Sequence, residues 1–84
     1  MLLQQQSEVL NLNKLSNRFF SQRLNNLRVE KNVSAREMSL ALGQNESYIN
    51  RIENGINYPS MQVFFNICEY FGITPEDFFN LNRD

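Results

Sequence analysis

The chain has 84 residues, 42% hydrophobic and 12% aromatic, enough for one compact core and too short for a second domain. One cysteine, Cys68, excludes an internal disulfide, and the absence of histidine removes Cys/His zinc sites and imidazole-dependent catalysis. The net charge of -1 argues against a nonspecific nucleic-acid coat, yet the charge is uneven.

Between residues 14 and 51, Lys14, Arg18, Arg23, Arg28, Lys31, Arg36 and Arg51 face only Glu30, Glu37 and Glu46, a local charge of +4. From 52 to 84, Arg83 stands against Glu53, Glu69, Glu76, Asp77 and Asp84, a local charge of -4. One face suited to an anion and another that is not would follow from this split. Apolar runs such as Val63, Phe64, Phe65 are far short of a membrane span. The opening MLLQQQSEVLNLNK lacks the basic, apolar and small-residue regions of a secretory leader, so a cytoplasmic setting is expected.

Residues 1–16 carry Leu2, Leu3, Val9, Leu10, Leu12 and Leu15 without a sustained period, and read either as an arm or as an extra helix. From Asn17 a helix is predicted, with Phe20, Leu24 and Leu27 on its inner face and Arg18, Gln22, Arg23 and Asn26 opposite, ending near Lys31 and Asn32. Ser34-Ala-Arg-Glu37 reads as a capping box that opens a second helix, about 35–42, with Met38, Ala41 and Leu42 inward and Ser39 small. Gly43 closes it. Asn45 is placed to cap a third helix, about 46–54, in which Tyr48, Ile49 and Ile52 share one side and Glu46, Ser47, Asn50 and Arg51 the other.

Asn54-Gly55 ends that helix, and a loop through Pro59 leads to a cap at Ser60. A fourth helix, about 61–71, repeats Phe64, Ile67, Cys68 and Phe71 at i, i+3, i+4 and i+7 before Gly72 stops it. Thr74-Pro75-Glu76-Asp77 then opens a short fifth helix through Phe78 and Phe79, with a capping threonine, proline at the first position and acids at the positive end of the dipole. The fold class is therefore all-α, with a domain over 17–84.

Two short helices joined by a glycine turn, with a small residue in the first and apolar residues late in the second, have the form of a helix-turn-helix. The chain resembles the lambda-repressor-like, Xre/Cro type of this domain from about Phe20 to Phe79. The resemblance is carried by Leu24, Leu27-Arg28, Ser34 to Met38, Leu42-Gly43, Ser47-Tyr-Ile-Asn-Arg-Ile-Glu-Asn-Gly55, Pro59-Ser60 and Ile67 to Ile73. It implies a compact five-helix fold and a sequence-specific regulator of transcription, often a repressor that binds double-stranded DNA as a homodimer, with the third helix in the major groove.

The resemblance places Glu46, Ser47, Asn50 and Arg51 against bases. Arg51 can donate twice to guanine, Asn50 can pair with adenine, Glu46 can accept from cytosine, and Ser47 is permissive. Phosphate contacts are expected from the amides of Ser34 and Ala35, from Arg36, Asn54 and Asn57, and from Tyr48, whose ring alternatively packs at the edge of the core. Arg28 and Glu53 match positions that form a salt bridge between the first and third helices. The chain departs from the commoner pattern at Ala35, where glutamine is frequent, and in its uncharged Ile56-Asn57-Tyr58 loop, so weak nonspecific affinity is expected.

Phe65, Tyr70, Phe79 and Leu81 exceed what one small core can bury. They either form a dimer surface or, for Phe79 and Leu81, wrap back over the core. No cofactor, metal or small-molecule substrate is expected, and no nucleophile-base set or phosphate-cradling glycine loop can be assembled, so an enzyme is not the reading. The alternative is a protein-interaction module on the same fold, a partner of a toxin or of a larger regulator.

Overall fold

A computed structural model describes residues 18–80. The arm at 1–16, the helix start at Asn17, and Leu81 lie outside the described residues. Five helices follow one another: α1 (18–31), α2 (Ala35–Ala41), α3 (Tyr48–Glu53), α4 (Met61–Phe71) and α5 (Pro75–Phe78), with no strand among the described residues.

The inner stripe of α1 is Phe20, Leu24 and Leu27. It meets Met38 of α2, Ile49 and Ile52 of α3, Phe64, Ile67 and Cys68 of α4, and Phe78 of α5 in one core. Burying each such side chain contributes about 1.5–3 kcal/mol. Phe78 joins α5 to α1 and α4, with its ring centre 4.9 Å from Phe20 and 5.2 Å, edge-on, from Phe64. Arg23 fastens the same junction: its Nε donates to the Phe78 carbonyl at 2.8 Å and its Nη2 to that of Asp77 at 2.9 Å. The last carbonyls of α5 thereby gain donors from α1, that of Asp77 in addition to Asn80 N–H at 3.3 Å. Arg23, expected on the outer side of its helix, is half-buried instead.

The stops share one geometry. Asn32, Gly43, Gly55 and Gly72 take φ of 62°, 75°, 74° and 70° after α1 to α4. In each case the next amide reaches back to the fifth residue before it, as Gln44 N–H does to Ser39 O at 3.0 Å and Ile73 N–H to Cys68 O at 3.0 Å, the Schellman pattern. Only at α1 does a residue with a Cβ occupy the left-handed position.

The starts differ more from the sequence expectation. Ser34 accepts from Glu37 N–H at 2.9 Å, but the return bond from the Glu37 carboxylate is not formed; the carboxylate lies close enough to the Tyr70 hydroxyl to perturb it. The reciprocal box forms at Thr74 and Asp77. Asn45 does not cap α3 directly. Its Oδ1 accepts from Ser47 N–H at 3.1 Å and its carbonyl from Tyr48 N–H at 3.1 Å, so residues 46 and 47 form a turn and the helix begins at Tyr48.

Candidate nucleic-acid interface

α3 has six residues and makes no side-chain cap bond of its own at its N-terminus; its position is set from outside. Ser39 of α2, fully buried, accepts from Ile49 N–H at 2.9 Å while donating to Ala35 O at 2.7 Å. One hydroxyl thus supplies the missing cap and ties α2 to α3. At the other end Ser21 donates to Ile52 O at 2.8 Å. Glu53 receives Arg28 through two bonds, Nε to Oε2 at 2.7 Å and Nη2 to Oε1 at 3.0 Å, and Asn25 Nδ2 at 2.9 Å. Arg28 Nη1 donates to Val33 O at 2.8 Å. The two charged side chains keep only 16% and 9% of their exposure, and the bond to Glu53 holds the guanidinium pKa above its ordinary value. Arg28, so occupied, is a strut of the fold.

With Ile49 and Ile52 buried, the opposite side of α3 and its preceding turn present Glu46, Ser47, Asn50 and Arg51, all exposed. Three of the four are engaged by neighbours, Ser47 by donating its hydroxyl to Asn45 Oδ1 at 3.0 Å. Glu46 Oε2 accepts from Arg36 Nε at 3.1 Å, both side chains about two-thirds exposed at 68% and 66%. With the Asn57 amide turned so that its oxygen faces α3, that oxygen accepts from Arg51 Nε at 3.1 Å. Asn54 is exposed, Asn57 half-buried, and Ser34 exposed with its hydroxyl on Glu37 N–H. Ala35 and Tyr48 pack against the core, and burial pushes the Tyr48 phenol pKa up.

A short, externally braced helix with a polar outer face, packed across a glycine turn on a second short helix, is the architecture that the residues 34–55 encode. A helix-turn-helix domain family matches residues 21–83. The chain belongs to that family. The assignment agrees with the Xre/Cro-type resemblance, and makes a DNA-binding regulator the general functional reading of this helix-turn-helix domain. No curated protein and no solved structure matches the chain.

Around the helix-turn-helix, the positive segment is less free than its count. Arg23 and Arg28 are engaged inside the fold, Arg36 is paired with Glu46, and the Lys31 ammonium sits 5.1 Å from the Tyr70 ring centre. Arg18 and Arg51 make no ion pair among the described residues. A shallow polar cleft of about 240 Å³ between α1 and α3 is lined by Arg18, Ser21, Gln22, Asn25, Asn50, Glu53 and Asn54. The α1 contribution to this edge has no local signal, because only the fold brings residues 18–25 beside 50–54.

Of the residues read as a dimer surface, Leu81 lies outside the described residues, and Tyr70 is not brought together with Phe65 and Phe79. Five positions apart on α4, Phe65 and Tyr70 point about 140° from each other. Tyr70 lies half-buried under Lys31 and beside Phe71, 5.4 Å between ring centres, whereas Phe65 and Phe79 are each 48% exposed and flank Phe64 at 6.0 and 5.5 Å. Phe19, stacked on Phe79 at 6.1 Å, extends that patch in place of Tyr70. Among the described residues no helix is long and apolar enough to cross a membrane.

Proposed function

We propose that this domain is a sequence-specific double-stranded DNA-binding regulator of repressor type that lays α3 and its preceding turn in the major groove. The observation that carries the reading is the two-sided character of α3: a polar, exposed outer face of Glu46, Ser47, Asn50 and Arg51 on a helix whose inner face is buried and whose two ends are held by Ser39 and by Arg28 and Glu53. A reader must keep its register against base edges, and external bracing provides that where six residues cannot.

In this reading Arg51 donates to guanine O6 and N7, Asn50 pairs with adenine, Glu46 accepts from the cytosine amino group and Ser47 tolerates several bases. Arg36, Asn54 and the Tyr48 hydroxyl meet phosphates on the flanks. The exposed Phe65 and Phe79 patch serves a homodimer, which would place two inverted half-sites about 10 bp apart.

Selection from a randomised duplex library at about 50 mM salt, where counterion release favours binding, is expected to enrich a motif that loses one base preference in Arg51→Ala. A folded protein that enriches nothing overturns the reading. The Arg36–Glu46 pair, which cancels charge on the outer face, favours a second reading, a protein-interaction module; capture of a defined protein partner with no DNA motif would establish it.

A further inference from the structure

We infer that Asn57 is a positioning residue for Arg51, and that the pair makes guanine the required base at the C-terminal end of the reading face. The inference rests on the DNA-reading proposal above. Asn57 lies in the loop after α3, and that loop is fastened back over the last turn: Ile56 N–H donates to Arg51 O at 2.9 Å and Gly55 N–H to Ile52 O at 3.0 Å. In the amide orientation that satisfies both of its polar atoms, the Asn57 nitrogen donates to Ile56 O at 3.1 Å and its oxygen accepts from Arg51 Nε at 3.1 Å; the opposite orientation would set oxygen against carbonyl and nitrogen against donor.

Two consequences follow from those contacts. One of the two amide hydrogens already points at a carbonyl and the amide oxygen faces Nε, so both atoms of the side chain are fixed by α3 and its loop, and the oxygen acts on Arg51. With Nε occupied, Arg51 presents its two terminal nitrogens end-on, the fork that matches guanine O6 and N7 and no other base edge. An exposed arginine otherwise spreads over many rotamers. Fixing Nε removes much of that freedom before binding, so the cost of ordering the fork falls within the free protein.

The test compares base preference in wild type, Asn57→Ala, Asn57→Asp and the Arg51→Ala/Asn57→Ala double variant, at the operator position whose preference Arg51→Ala abolishes. Asn57→Ala is expected to lower guanine preference there about 3–10-fold and leave the other positions unchanged. Asn57→Asp retains an oxygen acceptor for Nε and is expected to keep or sharpen that preference. In the Arg51→Ala background the Asn57→Ala change adds nothing. Uniform weakening over all sequences in Asn57→Ala, together with a further loss in Asn57→Asp from phosphate repulsion, assigns Asn57 to the DNA backbone and overturns the inference; so do additive effects in the double variant. If wild type enriches no motif at all, the DNA-reading proposal fails first and the inference with it.

Discussion

The hydroxyl of Ser39 accepts the amide hydrogen of Ile49 at 2.9 Å, from a side chain with no exposed surface. The sequence marks Ser39 only as small enough for two helices to cross. The structure gives it a second task, because α3 begins without a side-chain cap of its own. Ser39→Ala keeps the size and removes the acceptor, stranding a buried amide, and is expected to cost about 1–3 kcal/mol. Urea denaturation measures the loss, and amide exchange at Ile49 should quicken more than at Ile67 in the same core. A loss under about 0.5 kcal/mol would show that the amide finds another partner.

Glu53 accepts three donors, two from Arg28 and one from Asn25. Removing its carboxylate leaves a largely buried guanidinium with only Val33 O. Glu53→Ala is therefore expected to destabilise by about 3 kcal/mol, and Glu53→Gln, which still accepts, by less. Equal losses in the two variants would mean that packing, not charge, holds the strut.

Asn32 is the one left-handed stop that carries a side chain, with φ of 62°. Replacing it by glycine relieves backbone crowding, and Asn32→Gly is expected to raise stability by about 0.5 kcal/mol after the added freedom of the unfolded chain is counted. The converse holds at Gly43, where φ is 75° and a Cβ would meet nothing within 4 Å. The cost of Gly43→Ala is purely conformational, about 1–2 kcal/mol. Thermal melts of both variants check the opposite signs.

Burial raises the pKa of the Cys68 thiol and of the Tyr48 and Tyr70 phenols, and the Glu37 carboxylate adds to the rise at Tyr70. All three groups are neutral when protonated, so the folded protein retains protons that the unfolded chain releases. Their stabilising effect is whole below about pH 8.5 for the thiol and about pH 10 for the phenols, and is lost as pH climbs through the raised folded values. The chain has no histidine. The melting temperature is expected to change little between about pH 6.5 and 8 and to fall above about pH 9. A plateau persisting to about pH 11 would contradict this.

On the proposed DNA-binding face, Arg36 is held by Glu46 at 3.1 Å with both side chains open to solvent. Glu46→Gln removes a negative charge and releases the arginine toward phosphate. Nonspecific affinity should rise, and the slope of log K against log salt should steepen by about one unit, read by fluorescence anisotropy on a random duplex. An unchanged slope would place Arg36 away from the duplex.

Local chemistry explains what was legible in advance. The extent of α4, its stop at Gly72 and the opening at Thr74 depend on residues within one or two turns, and the buried stripes depend on helical period alone. The hydroxyl bond of Ser39 spans ten positions and the bonds of Arg23 to α5 span 54 and 55. Nothing near Arg23 distinguishes it from the exposed Arg18. Phe65 and Tyr70 both read as apolar residues in excess of one small core, and helical geometry separates them. The outer face of α3 follows from its period, whereas Arg36 and Asn57 reach Glu46 and Arg51 through the turn and the loop, whose paths the sequence does not dictate.

The clasp of Arg23 on the carbonyls of Asp77 and Phe78 also sets an order of events at the ribosome. Helices α1 to α3 emerge first, but Phe20 lacks the ring of Phe78 and Arg23 lacks its acceptors until synthesis has passed residue 78. The outward helix leans on α1 through Ser21, Asn25 and Arg28. A nascent chain therefore carries the outer face of α3 before the contacts that brace α1 against α5 can form, and that bracing is complete only when α5 has left the exit tunnel.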